Sequence, residues 1–238
     1  MYKKLNEDPK YKKLQDKYRA LDFIDEESYK KIHTKHLVPL NIVIDSDLFE
    51  LEIQKYHGDF TYWGIGREKN EGRIRHGLGL TDLNEPLPFD PPSNPITTPL
   101  DKWMYKYPDY PLFDADFSKI NSYFKGLNSL EEYLKLFYNY HMRSCILWWN
   151  GGHGFVPHID TNVPAPQIRL WGTNDPENYV FNFWNGKEYV REENIERGRL
   201  YLCDTSIMHE AHSTAKNVYT FFFSLHPDSY DLVKEHIL

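Results

Sequence analysis

The sequence is poor in cysteine and has no long apolar run. Only two of its 238 residues are cysteines, Cys145 and Cys203, and both fall in segments predicted to be strands. Two such thiols do not make the disulfide framework of a small secreted domain, so we expect reduced core residues. No apolar run follows the lysine-rich N-terminus, and no segment reaches membrane-spanning length. These absences predict a soluble, cytoplasmic protein without a membrane partner.

An excess of positive charge is also missing. The chain has 28 Lys and Arg residues against 35 Asp and Glu residues, which gives a net charge of −7. This balance argues against general binding to nucleic acid or to a membrane surface. The sequence has no internal repeat and no low-complexity segment. Its length fits one large domain, so we expect residues 1–238 to form a single unit.

Aromatic residues, in contrast, are abundant, with 18 Tyr, 14 Phe and 6 Trp. Such side chains fill β-rich cores and line pockets for small ligands. Eight of them in the C-terminal half are predicted to form a barrel core: Trp148, Trp149, Trp171, Phe181, Phe183, Trp184, Phe221 and Phe223.

The N-terminal 140 residues mix helical, extended and proline-rich patterns. Residues 9–21 and 26–36 have the spacing of short surface helices, and residues 38–80 turn towards strand patterns. The proline-dense segment 84–112 predicts an ordered loop that covers the core, beside the mouth of a site.

Residues 116–140 predict a helix. Asn128 and Glu131 have the spacing of a helix start. Apolar residues then recur at positions i, i+3, i+4 and i+7, which predicts one broad face packed against a sheet.

From residue 142 onward the pattern predicts one short strand after another. The predicted strands cover residues 143–149, 155–160, 167–171, 179–184, 187–190, 199–203 and 218–225. Seven short strands separated by turn residues are typical of a sandwich or a partly open barrel. The predicted fold class is therefore α+β and mainly β.

A possible metal site begins at His158-Ile159-Asp160. If this segment is a strand, His158 and Asp160 face the same side. Two histidines and one carboxylate on one face of Fe(II) leave positions open for other ligands, and a later strand has to supply the second histidine. His209 and, three residues later, His212 are the candidates. A His-x-Asp spacing also arises by chance, so a hydrogen-bonded surface pair is the alternative.

Three stretches together resemble a known family. Residues 143–160, 184–187 and 198–211 resemble the corresponding segments of Fe(II)/2-oxoglutarate-dependent oxygenases, in the aspartyl/asparaginyl β-hydroxylase or prolyl-hydroxylase-like branch. The resemblance covers roughly residues 142–226. It implies a double-stranded β-helix, or jelly roll, over residues 141–227. Residues 1–140 would be a helical and loop elaboration whose helices pack on the sheet.

The resemblance also implies a chemistry. His158, Asp160 and His209 would bind Fe(II), while 2-oxoglutarate as co-substrate and O2 would take the remaining positions. The protein would then be a dioxygenase that hydroxylates a small molecule, an amino acid or a peptidyl Asp, Asn or Pro side chain. Its partner is expected to be a small-molecule or peptide substrate.

One position departs from the family pattern. Members usually carry Arg or Lys about ten residues past the distal histidine, where it binds the far carboxylate of 2-oxoglutarate. This chain has Tyr219 there, and Lys216 is the nearest preceding base. An anion inside a barrel needs a cation or several donors, so Arg169 is the best substitute, and Tyr219 and Arg143 are further candidates.

Further residues are candidates for contact with the substrate. Arg67, Arg73, Arg75 and His76 cluster in an otherwise acidic chain, which predicts either ordinary surface charge or a lip that holds an anionic substrate. Two histidines near the metal motif, His153 and His212, are expected at the pocket mouth or beside the substrate.

Two other functions compete with the oxygenase. A cupin-like metal enzyme would use the same metal ligands without 2-oxoglutarate. A non-catalytic jelly-roll binding protein would use His158 and Asp160 only for structure.

Overall fold

The structure, a computed structural model, describes residues 26–62, 75–90, 103, 106–107, 109–110, 112–160 and 168–238. In chain order, the strands of this part are β1 Leu37–Val43, β2 Thr61–Tyr62, β3 His76–Gly79, β4 Thr81–Asp82, β5 Lys119–Ile120, β6 His141–Trp149, β7 Gly154–His158, β8 Ile168–Thr173, β9 Tyr179–Trp184, β10 Tyr189–Arg191, β11 Arg199–Cys203, β12 His209–Ser213 and β13 Val218–Leu225. The predicted helix 9–21 lies outside the described residues.

Most of these strands belong to two antiparallel sheets. The larger sheet has the order β1-β11-β8-β13-β6-β3-β2, and the smaller has the order β10-β9-β12-β7. From β6 to β13 the chain passes repeatedly from one sheet to the other, with β6, β8, β11 and β13 in one and β7, β9, β10 and β12 in the other. Eight strands wound in this way are a jelly roll. The predicted fold is therefore confirmed.

The N-terminal half contributes strands to the larger sheet, in addition to helices and loops. Strand β1 pairs with β11, and β3 pairs with β6, so both extend the larger sheet beyond the jelly roll. All three candidate metal ligands follow the predicted boundary at residue 140, but the larger sheet contains strands from both sides of that boundary.

Side chains on β13 alternate between two environments. Tyr219, Phe221 and Phe223 face the helices on the outer side of the larger sheet, while Thr220 and Phe222 face the space between the sheets. Because both faces are covered, this strand has an almost continuous apolar sequence and no polar alternation. Phe221 and Phe223, which were predicted as barrel core, are fully buried, but they pack between the larger sheet and the helices and not between the two sheets.

Helices cover the outer face of the larger sheet. They are α1 Glu26–Ile32, α2 Ser46–Ile53, α3 Ser122–Lys125, α4 Glu131–Phe137 and α5 Tyr230–Glu235. Buried side chains of α2 and α4, among them Phe49 and Tyr133, join the same apolar cluster as Phe221 and Phe223. The ring centroids of Tyr133 and Phe223 are 4.2 Å apart. The predicted packing of helices on the sheet is confirmed. None of the helices in the described part of the chain has the length and apolarity needed to cross a membrane.

The predicted long helix 116–140 is broken. Strand β5 precedes α3, and the Asn121 side chain caps α3 by accepting hydrogen bonds from the backbone of Tyr123 and Phe124 at 3.1 and 3.2 Å. Helix α3 ends at Gly126, and α4 follows only after a 3₁₀ turn, Asn128–Leu130. The chain is thus divided where an asparagine starts one helix and a glycine ends it.

Asn128 does not cap α4 as the sequence predicted. The Glu52 carboxylate of α2 instead accepts four hydrogen bonds at this point. They come from the backbone and side chain of Asn128, at 3.0 and 2.7 Å, and of Ser129, at 3.0 and 2.9 Å. Burial alone would raise the pKa of Glu52, but these donors outweigh it and hold the pKa below its ordinary value. Glu52 therefore ties α2 to the start of α4.

We expect Glu52→Gln to destabilise the protein at pH 7 by about 1–3 kcal/mol. The amide NH2 that replaces one carboxylate oxygen would face groups that now donate hydrogen bonds to that oxygen. A lowered folded-state pKa contributes stability above the ordinary value of 4.5, and this contribution is lost as the pH falls through the folded pKa. The difference between variant and parent should therefore shrink at pH 4. Urea denaturation at both pH values measures it. Glu132→Gln, at an exposed ion pair, is the matched control with almost no effect.

Candidate metal centre

The pairing of β7 with β12 brings two histidines together. In this antiparallel register His209 lies directly opposite His158, and their ring centroids are 4.4 Å apart. Asp160 follows two residues after His158, just past the end of β7. The ligand atoms of His158, Asp160 and His209 all lie within 4.8 Å of one another. The structure thus brings together the three residues that the sequence predicted to share a site.

Backbone carbonyls orient both imidazole rings. His158 Nδ1 lies 2.8 Å from the Val156 carbonyl oxygen, and His209 Nδ1 lies 2.8 Å from the Ile207 carbonyl oxygen. A carbonyl oxygen only accepts, so each Nδ1 has to carry the proton. In a neutral ring, Nε2 is then left with its lone pair exposed. This is the tautomer that binds a metal through Nε2.

The contact between His158 and Asp160 supports a cation at this position. His158 Nε2 lies 3.1 Å from Asp160 Oδ1. With Nδ1 protonated, both atoms present lone pairs, and two acceptors at this distance repel unless a proton or a metal ion lies between them. Burial lowers the pKa of His209 to about 4, partly opposed by the Asp160 charge, so this ring is neutral at pH 7. The donor set fits a divalent metal.

Arg169 supports the carboxylate of this group. Its Nη1 donates to Asp160 Oδ2 at 3.2 Å, and its Nη2 donates to Asp114 Oδ2 at 3.0 Å. Burial alone would raise the pKa of Asp160, but a proton on His158 Nε2 and the positive charge of Arg169 hold it well below its usual range. Asp160 is therefore ionised, and one of its oxygens is held by Arg169 while the other faces His158.

A cavity of about 590 Å³ lies between the two sheets beside these side chains. Aromatic rings from both sheets line it, among them Trp149, Trp171 and Phe181. Three arginines also reach it, from β6, from β8 and from the residue before β3. A mostly apolar cavity of this size with a few converging polar groups is typical of a small-molecule site.

Some of the residues that the sequence predicted to bind the co-substrate or the substrate line this cavity, and others do not. Arg75, Arg143 and Arg169 line the cavity. Arg67 and Arg73 lie outside the described residues.

Tyr219 is turned away by the alternation of β13. It packs among the helices, and its hydroxyl lies 2.5 Å from His57 Nε2. The cavity-facing residue at this level of the strand is Thr220. An error of one residue in the predicted position therefore assigns a side chain to the wrong face of the sheet.

Three other candidates also lie apart from the cavity lining. Lys216 is exposed in the turn between β12 and β13, and His212 is exposed on the outer face of β12. His153 lies in the turn before β7 and accepts a hydrogen bond from the Asn150 backbone at 3.0 Å. The exposure of His212 and the burial of His209 separate the two rivals for the metal.

Sequence reasoning missed Asp114 and the whole of β12. Asp114 belongs to a short 3₁₀ turn just after the proline-rich segment, and its role depends on arginines from two distant strands. Strand β12, with the sequence HEAHS, has few apolar residues because its inward positions hold His209, Ala211 and Ser213. A histidine and small residues therefore stand where the apolar alternation of a strand would be expected.

No family model and no curated protein matches the chain. Comparison with solved structures finds it similar to a prolyl hydroxylase from Trichoplax adhaerens in complex with a peptide fragment of the hypoxia inducible factor oxygen degradation domain. That similarity has 13% identity and a TM-score of 0.45, over 92% of this chain and 95% of that chain.

Two further structures are similar at the same level. One is a prolyl-4-hydroxylase from Pseudomonas putida, with 10% identity and a TM-score of 0.41, over 84% of this chain and 97% of that chain. The other is a non-heme alpha-ketoglutarate-dependent carbocyclase of nogalamycin biosynthesis, with 11% identity and a TM-score of 0.44, over 89% and 90%. Function resides in the side chains of a site and not in a fold.

We expect His209→Ala to weaken Mn(II) or Fe(II) binding by more than about 100-fold, since even a group that only orients a ligand contributes roughly 10- to 100-fold. His212→Ala is the matched control on the same strand, and it should bind metal as the parent does. Isothermal titration with Mn(II) measures both. Equal affinities for the two variants would contradict the assignment of His209.

Arg169→Met should also weaken metal binding, by roughly 10-fold or more, because Asp160 Oδ2 loses its donor and the carboxylate becomes free to turn. Arg143→Met removes another buried arginine beside Asp114, at 3.8 Å, and serves as the comparison. We expect its effect on Mn(II) affinity to be smaller. The same loss in both variants would mean that Arg169 acts only through general charge or folding.

Proposed function

We propose that the protein is an Fe(II)- and 2-oxoglutarate-dependent oxygenase that hydroxylates a C–H bond of its substrate. The observation that supports this most directly is the group formed by His158, Asp160 and His209 on one side of a jelly-roll cavity. Two imidazoles and one carboxylate on one face are the donor set of non-heme Fe(II) oxygenases, because they leave positions for a co-substrate and for O2.

When bound, Fe(II) supplies the oxidative chemistry by which 2-oxoglutarate and O2 convert C–H to C–OH, with succinate and CO2 as co-products. The protein holds the ligands in place. His158 and His209 present Nε2 because their Nδ1 protons are donated to carbonyls, and Arg169 keeps Asp160 ionised and oriented.

The cavity suits an anionic co-substrate. Its described lining carries three arginines, Arg75, Arg143 and Arg169, against two carboxylates, Asp114 and Asp160. With a divalent metal added, the positive charge exceeds the negative charge, and a dicarboxylate would balance much of the difference. The apolar walls exclude water and strengthen these charge interactions.

For the substrate we propose a small molecule, an amino acid or a peptide side chain. A volume of about 590 Å³ accommodates the co-substrate together with one small group of the substrate. We also infer that residues 1–238 act as one domain, since β1 and β3 complete the sheet that carries the cavity.

With Fe(II), ascorbate and 2-oxoglutarate, we expect the purified protein to release succinate even without its substrate, at a low rate that His209→Ala abolishes. Chromatographic detection of succinate and labelled CO2 measures this. Metal binding without any 2-oxoglutarate turnover would favour a cupin-like metal enzyme. Absence of metal binding would favour a non-catalytic jelly-roll protein.

A further inference from the structure

One buried histidine takes no part in the metal centre or the cavity. His141 begins β6 and pairs with Leu225 at the end of β13, and it is only 3% exposed. Three aromatic rings surround it, one each from α3, α4 and β13. Their centroids lie 4.8, 5.4 and 6.5 Å from that of the imidazole, in the order Phe124, Tyr133 and Phe223. The ring is therefore enclosed at the contact between these two helices and the larger sheet.

The polar atoms of this contact have no hydrogen-bond partner among the described residues. Both ring nitrogens of His141 and the hydroxyl of Tyr133 are buried and unpaired there. A neutral imidazole carries one donor and one acceptor, so it leaves two groups unsatisfied in this arrangement. A buried polar group without a partner costs free energy, and the cost is larger when the group is charged. The aromatic enclosure therefore tolerates the neutral ring and strongly disfavours the imidazolium.

The surrounding side chains offer no charge that would stabilise an imidazolium. Tyr133 is titratable and faces His141, but burial raises its pKa well above the ordinary value, so it stays uncharged. All residues of β13 are uncharged at pH 7, and Arg143, the next charged residue of β6, lines the cavity. Burial accordingly lowers the pKa of His141 to about 3. The charged residues of α3 and α4 are exposed: Lys125, Glu131, Glu132 and Lys135.

We propose that His141 is an acid-sensitive contact that holds α3 and α4 on the larger sheet and releases them when its imidazole is protonated. An imidazolium has two N–H donors, and neither meets an acceptor in this arrangement of rings, so it is stable only where water reaches it. Movement of the two short helices away from β6 and β13 supplies that access without unfolding of the sheet. This device does not depend on the proposed function.

The direction and size of the pH effect follow from the two states of the ring. In the open form the histidine has its ordinary pKa of 6.5, while in the closed form the pKa is about 3. The contact is therefore fully stabilising above pH 6.5, and it weakens as the pH falls from 6.5 towards 3. Because opening takes up one proton, its equilibrium constant should rise about 25-fold between pH 7 and pH 5.

Two other acid-sensitive groups determine how the test is designed. The Glu52 carboxylate at the start of α4 has a pKa below 4.5, so it stays ionised down to pH 5 and does not contribute in this interval. Burial lowers the pKa of His209 to about 4, so the stability of the whole protein also falls in acid. The measurement therefore has to report on the helices alone.

Hydrogen exchange measured by mass spectrometry gives this local equilibrium for the full chain without any added ligand. After correction for the intrinsic exchange rate, peptides from residues 122–137 should lose protection about 25-fold between pH 7 and pH 5. Peptides from residues 199–203, in the middle of the larger sheet, should lose much less.

Substitutions then identify the group that takes up the proton. His141→Phe puts an apolar ring of similar size in the enclosure, and it should remove the difference between the two sets of peptides. His141→Leu needs less space and serves as the second variant where phenylalanine prevents folding. His212→Ala, at an exposed histidine on β12, is the matched control and should behave as the parent does.

Two results would overturn the proposal. If residues 122–137 and 199–203 of the parent show the same pH dependence, the helices do not open separately from the sheet, whatever the variants do. If the acid-dependent loss of protection in the helices persists in a folded His141→Phe or His141→Leu protein, another group takes up the proton.

Discussion

The antiparallel register between β7 and β12 is the constraint on which the site depends. Because His209 lies opposite His158, two imidazoles from residues 51 positions apart meet on neighbouring strands. A shift of one residue would turn one ring out of the barrel. The carbonyls of Val156 and Ile207 then select the tautomer of each ring, so the strands that place the histidines also determine which nitrogen would bind a metal.

Along the strands of the larger sheet, alternate side chains face two different places: the apolar core under the helices and the cavity between the sheets. On β13, odd-numbered residues pack against the helices and even-numbered residues line the cavity. On β8, the same alternation puts Ile168 among the helices and Arg169 beside Asp160. A sheet covered on both faces can thus carry a structural core and a polar site on one set of strands.

Turn residues and strand spacing predicted a sandwich or a partly open barrel, and the His-x-Asp spacing predicted that His158 and Asp160 share a face, because these signals are local. The jelly roll and the preference for His209 were implied by the resemblance to Fe(II)/2-oxoglutarate-dependent oxygenases. The sequence could not assign the face of Tyr219, since a strand that is apolar on both sides has no alternation to follow. It could not show that Arg169 contacts both Asp114 and Asp160, because these residues come together only when distant segments are folded. It missed β12 because His209 and small residues occupy its inward positions.

The contact between Asp114 and Arg169 joins two parts of the protein that would otherwise vary independently. Asp114 comes from a segment outside the jelly roll and lines the cavity, and the guanidinium that it holds also holds the Asp160 carboxylate. A change in the segment around Asp114 would consequently move the Asp160 carboxylate through the guanidinium of Arg169. Variation in this part of the cavity wall and the geometry of the His158, Asp160 and His209 group would therefore be inherited as one trait in this chain.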